Sequence, residues 1–198
     1  MRDGFVKVGA ATPDILVADC VHNREEIVKK VKEMAEAGTK VMAFPELCIT
    51  GYTCSDLFWQ ELLLVRAKEE LHKLEEELEE VEGLIIVGLP LEFNQKLYNT
   101  AAVISGGKVL GFVPKHHLPN YAEFYEARHF TAGCAFEGMV NWYGREVPFG
   151  QNLLFVCEEL PQLVTAVEVC EDLWAPNPPS ISHALSGATL IINPSASD

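Results

Sequence analysis

Positive charge is what this chain lacks most. Lys and Arg number 15 against 29 Asp and Glu, which leaves a net charge of −14 over 198 residues. Polyanionic partners reward clustered cations, so neither nucleic acid nor an anionic membrane surface is expected as a partner. No apolar run approaches the roughly 20 residues of a membrane-spanning helix, and Met1-Arg2-Asp3-Gly4-Phe5-Val6 has no apolar signal core. A cytoplasmic protein is expected. Cys-x-x-Cys is absent. The six cysteines fall irregularly at 20, 48, 54, 134, 157 and 170, so reduced thiols are expected rather than disulfides. Repeats and linkers are lacking too, and 48% of the residues are hydrophobic, enough to bury one core as a single domain over 1–198.

What the chain does have is an alternation of short apolar runs and amphipathic stretches. Phe5 to Ala11 reads as a strand, and Asn23 with Glu26 as a capping box opening a helix. Ile27, Val31, Met34 and Ala35 share a face of that helix, which Gly38 ends. Val41 to Phe44 is a short buried strand. A second helix is expected over Glu61 to Glu82, with Leu64, Ala67, Leu71, Leu74, Leu78 and Val81 at helical spacing and its glutamates on a solvated face. Leu84 to Leu89 forms another strand, and Leu97 to Ile104 and Val109 to Val113 a hairpin across Ser105-Gly106-Gly107-Lys108. The stretch from Lys115 to Gln151 is aromatic, polar and irregular, and so long a loop often lines a site. Strands at Leu153 to Cys157, Leu163 to Val169 and Thr189 to Asn193, with a short helix from the Asn177-Pro178-Pro179-Ser180 segment to Ser186, complete a layered α/β domain. The sequence stops just after a strand, as a piece of something longer would.

Three isolated reactive groups end apolar runs. Glu46 follows Val41-Met42-Ala43-Phe44-Pro45, Lys115 follows Val109 to Pro114, and Cys170 follows Leu163 to Val169. A thiol is intrinsically nucleophilic, but near neutrality only a few per cent is thiolate at its ordinary pKa of about 8.5. A carboxylate can take its proton, and an ammonium can stabilise the oxyanion formed when a carbonyl is attacked. Singly, each residue has an ordinary alternative: a turn carboxylate, a solvated strand end, a small buried hydrophobe. A Cys–His hydrolase pairing Cys170 with His116 or His183 is the chemical rival, and it needs neither Glu46 nor Lys115. His116, His117, His129 and Cys134 fit no standard zinc spacing. Ser105-Gly106-Gly107-Lys108 lacks a following Asp-Ser and reads as a turn, so no ATP or dinucleotide motif is present.

The residues flanking these groups resemble the nitrilase, or carbon–nitrogen hydrolase, superfamily along the whole chain. Phe44-Pro45-Glu46-Leu47-Cys48-Ile49-Thr50-Gly51-Tyr52 looks like the motif around the catalytic Glu, and Pro114-Lys115-His116-His117-Leu118-Pro119 like that around the catalytic Lys. Val169-Cys170-Glu171-Asp172-Leu173-Trp174 looks like the nucleophile motif, and the Glu126, Phe130, Gly133 spacing also recurs there. Asp56-Leu57-Phe58, Asn120 to Glu126 and Asn193-Pro194-Ser195-Ala196-Ser197 narrow the likeness to the N-terminal glutaminase domains of glutamine-dependent NAD synthetases.

The resemblance implies an α-β-β-α sandwich, truncated at its C-terminal side, with an ATP-dependent synthetase domain beyond it. L-glutamine is the implied substrate, the synthetase domain of the same polypeptide and further copies of the chain the implied partners. It assigns Cys170 as nucleophile, Glu46 as general base, and Lys115 with the backbone N–H of Glu171 as oxyanion donors. Tyr121 and Ser197 match glutamine-contacting positions, Phe124 a pocket position and Glu126 the second glutamate near the triad, with Glu171 a possible partner for the substrate ammonium. No cofactor is implied in this domain, whereas ATP and Mg would serve the synthetase domain. A stand-alone amidase acting on another small amide, or an inactive assembly fragment, are the alternatives.

Overall fold

The computed structural model describes residues 4–136 and 138–197. Among these residues ten strands fall into two sheets. In the larger, β1 (Val8–Ala10), β2 (Val41–Ala43) and β3 (Leu84–Phe93) run parallel. Then β3, β4 (Lys96–Ser105) and β5 (Lys108–Pro114) follow as an antiparallel meander. A hairpin of β6 (Gly138–Trp142) and β7 (Arg145–Phe149) joins at β5, giving the order β1-β2-β3-β4-β5-β7-β6. The smaller sheet is β10-β9-β8, built from Leu190–Ile192, Val164–Val167 and Leu154–Val156. Helices α1 (Cys20–Glu36) and α2 (Glu61–Glu77) cover the large sheet, and α3 (Pro179–Leu185) packs on β9.

Period-two alternation explains the layering. Ile85, Val87 and Leu89 on β3, Ala102 and Ile104 on β4 and Phe112 on β5 face the helices, meeting Ile27, Val31, Leu71 and Leu74. Their neighbours Ile86, Ala101, Val103 and Val113 face the second sheet and meet Val167, Val169 and Cys170. Both faces of the central strands are buried, so their sequences read as continuous apolar runs. This is the nitrilase-like α-β-β-α layering, and the inner layer between the sheets contains the thiol of Cys170. No helix among the described residues is long and apolar enough to cross a membrane, and no disulfide joins any of the six cysteines among them.

Several local expectations are corrected. Helix α1 begins earlier than Asn23, at Cys20, because the Asp19 carboxylate caps the His22 N–H at 3.1 Å. Asn23 lies inside the helix, fully buried, where its amide ties Leu16 N (2.8 Å) to Ile49 O (3.0 Å). Helix α2 ends at Glu77 instead of Glu82, and its glutamates are not all solvated. Glu75 is buried and accepts from Val109 N (2.7 Å), Trp142 Nε1 (2.6 Å) and Arg145 Nη2. Glu70 is buried against Arg24 and Lys73. The Lys115–Gln151 stretch also contains a regular hairpin, β6–β7, turned by Tyr143 and Gly144 at φ 48° and 83°.

Candidate active site

Each of the three reactive residues is delivered by a strand end held from behind. Glu46 leaves β2 through a turn in which Leu47 adopts φ 52°. That turn lies directly on β3: a Cβ on Gly88 would sit 2.2 Å from Leu47 N and 2.8 Å from Pro45 O. Lys115 follows β5, and its backbone is pinned by Lys115 N to Asn99 O (2.8 Å) and by Gly133 N to Lys115 O (2.8 Å). Gly133 has no room for a side chain, because Pro114 Cγ would stand 2.4 Å from its Cβ. Buried Phe130 anchors the same return segment. Cys170 follows β9 after Glu168 and Val169, takes φ 47°, a left-handed conformation unusual for a residue with a Cβ, and starts a 3₁₀ turn over Cys170–Leu173.

These side chains form one buried cluster, in which Glu46 and Lys115 both act on the Cys170 thiol. Lys115 Nζ is fully enclosed and lies 2.7 Å from Glu46 Oε1 and 2.6 Å from Glu126 Oε1. Burial alone would push the Lys115 ammonium down, but Glu46 and Glu126 outweigh it and hold it above its ordinary value. Burial and the neighbouring Glu46 push the Glu126 carboxyl up, against the pull of Lys115 and Tyr52. The Cys170 thiol is pushed up by burial and by Glu46, while Lys115, Ala196 N–H and the Ser195 hydroxyl pull it down. The upward causes win, so burial and Glu46 hold the proton on the Cys170 sulfur. This arrangement can pass a proton from sulfur to Glu46 as sulfur attacks, and it has a cation ready for the oxygen that becomes negative.

The other expected positions separate into a rim and a tail. Exposed Tyr121 donates from its hydroxyl to Glu171 Oε2 at 2.8 Å, which raises the Tyr121 phenol. Phe124 is half-buried, edge-on to Tyr121 and Tyr52 with ring centroids 5.8 and 6.4 Å apart. Tyr121, Phe124 and Glu171 therefore stand together next to Cys170 in the chain's fold. Ser197 is exposed at the tail, and the polar contacts there come from its neighbours: Ala196 N donates to Glu46 Oε2 (3.2 Å), and Ser195 Oγ to Asn193 Oδ1 (2.6 Å). The histidines of the rival scheme are engaged with backbone carbonyls. His116 Nδ1 lies 2.6 Å from Gly133 O, and buried His183 Nε2 lies 3.1 Å from Gln151 O.

Three pocket residues escaped the sequence reading. Asn99 Nδ2 bridges Glu46 Oε1 (2.7 Å) and Glu126 Oε2 (3.3 Å). Tyr52 donates to Glu126 Oε1 at 2.7 Å, and burial with that carboxylate pushes its phenol far up. Asp172 is buried and accepts backbone N–H groups from both the Lys115 and the Cys170 segments. A signal existed for Asn99, since Asn99-Thr100 is a polar pair inside an otherwise apolar strand.

A two-sheet sandwich whose inner layer ends in a thiol, a carboxylate and an enclosed ammonium defines a class of hydrolases that act on carbon–nitrogen bonds. The chain belongs to the carbon–nitrogen hydrolase family, whose model matches residues 7–198. It is 39% identical to the glutamine-dependent NAD(+) synthetase of Mycobacterium tuberculosis over 196 residues, which is 99% of this chain and 29% of that protein. A glutamine-dependent NAD(+) synthetase from Cytophaga hutchinsonii superposes with a TM-score of 0.85 at 29% identity, covering 97% of this chain and 30% of that one. An amidase from Nesterenkonia shares the fold, with a TM-score of 0.74 at 21% identity over 100% of this chain and 67% of the amidase. The chain thus spans less than a third of the synthetases it matches.

The neutral resting thiol has a measurable consequence. Alkylation of Cys170 by iodoacetamide should keep rising with pH beyond the ordinary thiol range, because burial and Glu46 hold the proton on sulfur. A preformed Cys–His ion pair would instead give a rate already on its plateau near neutral pH. Mass-spectrometric counting of labelled Cys170 across a pH series distinguishes the two.

Proposed function

We propose that this chain is the glutamine-hydrolysing domain of a glutamine-dependent NAD synthetase. The observation that carries the reading is the enclosed Glu46–Lys115 pair acting on the Cys170 thiol, with Tyr121 paired to Glu171 beside it. Cys170 Sγ attacks the side-chain amide carbon of glutamine as its proton passes to Glu46. Lys115 Nζ and the Glu171 N–H hold the oxyanion. The C–N bond breaks as Glu46 returns the proton to nitrogen, releasing ammonia and leaving a γ-glutamyl thioester. Water then adds to the thioester carbon, Glu46 taking its proton, and the C–S bond breaks to give glutamate and restore the thiol. The sum is glutamine plus water to glutamate plus ammonia.

In such an enzyme the ammonia would amidate an adenylylated nicotinate dinucleotide in a synthetase domain of the same polypeptide. ATP and Mg²⁺ would act there, and this domain needs neither. Glu126 holds the Lys115 ammonium together with Glu46, at 2.6 and 2.7 Å. Tyr121, Glu171 and Ser197 are the candidates for the substrate's α-ammonium and α-carboxylate, and Phe124 is the candidate for the pocket wall.

Specificity for glutamine over a plain amide tests the assignment. A site built to hydrogen-bond a substrate group rejects analogues that lack it far more strongly than an apolar slot does. In the full-length enzyme, Tyr121→Ala should raise the glutamine KM roughly tenfold or more, the scale of a lost hydrogen bond to a charged group. Synthesis supported by free ammonia should be unchanged. If butyramide is hydrolysed as efficiently as glutamine by the unaltered enzyme, a broad amidase is the better description.

A further inference from the structure

Asp172 is fully buried two residues beyond the nucleophile, and the reaction scheme uses it for nothing. Burying a carboxylate is costly unless its oxygens are satisfied. Here they are satisfied by main-chain donors. Oδ1 accepts from His117 N (2.7 Å) and His116 N (3.1 Å), the two amides that follow Lys115. Oδ2 accepts from Val169 N (3.0 Å), the amide that precedes Cys170, and lies 3.4 Å from His116 N. One side chain thus bolts together two segments 55 residues apart, each carrying a reactive group. The charge is required for this: a neutral amide would accept on one oxygen and present an NH₂ group to the remaining N–H donors.

The bolt acts on a strained turn. Cys170 holds its φ of 47° between Cys170 N to Pro194 O (2.9 Å), Asn193 Nδ2 to Cys170 O (3.3 Å) and Asp172 N to Val169 O (3.1 Å). Such conformations persist only where the surroundings enforce them. Flanked by these bonded amides, the Glu171 N–H makes no hydrogen bond among the described residues, which leaves it open for an oxyanion.

We propose that Asp172 is a positioning residue for amide hydrolysis, setting the separation of Lys115 from Cys170 and keeping the Glu171 N–H free. This rests on the amide-hydrolysing reading above. It deepens that reading by naming the part that aligns its two oxyanion donors, which come from different segments.

The test compares Asp172→Asn and Asp172→Glu with Val140→Ala, a core truncation on β6, in the full-length enzyme. Glutamine kcat and KM, the melting temperature and the pH profile of Cys170 alkylation are measured for each. Asp172→Asn should lower kcat about 100-fold with KM little changed, the scale of a small misplacement of reacting groups. Its alkylation profile should move to higher pH as the Lys115 ammonium retreats from the thiol. Asp172→Glu, which keeps the charge but displaces it, should fall between. Val140→Ala should lose melting temperature yet keep both kcat and the alkylation profile. The proposal is overturned if Asp172→Asn keeps the unaltered kcat and profile, or behaves as Val140→Ala does. It is equally overturned if neither Asp172 variant yields folded protein, since the residue then serves folding alone. Glutamine hydrolysis surviving in Cys170→Ala would sink the amide-hydrolysing reading itself, whatever Asp172 does.

Discussion

On the function proposed above, replacing Cys170 by Ala in the full-length enzyme should lower glutamine-driven synthesis by on the order of 10⁴-fold or more, the scale expected for loss of a covalent nucleophile. Synthesis driven by free ammonia stays close to its original rate, because only the source of nitrogen has been removed. The physical basis is local. Cys170 occupies a turn held by backbone and by the Asn193 amide, so deleting the sulfur leaves those bonds in place. Its side chain touches a small apolar layer with Val167 and Val169, where loss of one sulfur is a modest packing change. Cys170→Ser should behave similarly, since a hydroxyl beside the same carboxylate is a far weaker nucleophile. Parallel assays with glutamine and with ammonium salt as nitrogen donor read the result. Equal loss with both donors would assign Cys170 to folding or assembly and remove it as nucleophile.

How much of this site is legible in the sequence follows from what each residue's role depends on. Glu46, Lys115 and Cys170 each end an apolar run, and the runs are interior strands of two sheets whose ends bring the three groups together. That much is a one-dimensional pattern. The roles of Asn99, Tyr52 and Asp172 depend on pairing across the chain. Asn99 reaches Glu46 because β4 lies between β3 and β5 in one particular register, with Thr100 opposite Pro114. Asp172 sits in the nucleophile motif itself, but its partners are backbone amides, which leave no mark on sequence composition. Local rules failed where tertiary contacts overrode them. Asn23 has the look of a helix cap, yet it is more useful inside α1, where it satisfies Leu16 and Ile49. Glu75 resembles its solvated neighbours on α2 and differs only because β5 and the β6–β7 hairpin bring three donors to it. That hairpin was hidden by short strands and by a Tyr-Gly turn that is less distinctive than Asn-Gly.

Lys115→Met produces the second large effect, and it acts on stability and catalysis together. Methionine approximates the length and volume of the lysine stem, so packing around the site is largely kept. What disappears is the one ammonium shared by Glu46 and Glu126 at 2.7 and 2.6 Å. Removing one partner of a buried ion pair leaves an uncompensated charge, which costs roughly 3–5 kcal/mol, and here two carboxylates are left facing each other. Burial and Glu46 already hold the Glu126 carboxyl above its ordinary 4.5, and losing Lys115 removes the main influence pulling it back. The sign follows from linkage. A carboxyl whose folded pKa exceeds its unfolded value stabilises the fold below the unfolded pKa and loses that contribution as pH rises through the folded one. The Lys115→Met protein should therefore be least stable at neutral to alkaline pH and recover as pH falls toward 4.5, more steeply than the unaltered protein does. Urea unfolding at a series of pH values measures this directly. Glutamine hydrolysis should be lost even at pH values where the variant is well folded, since no cation remains to meet the oxyanion. A variant of unchanged stability at neutral pH would mean that solvent reaches Glu46 and Glu126. Full activity in a folded variant would leave the oxyanion to the Glu171 N–H alone.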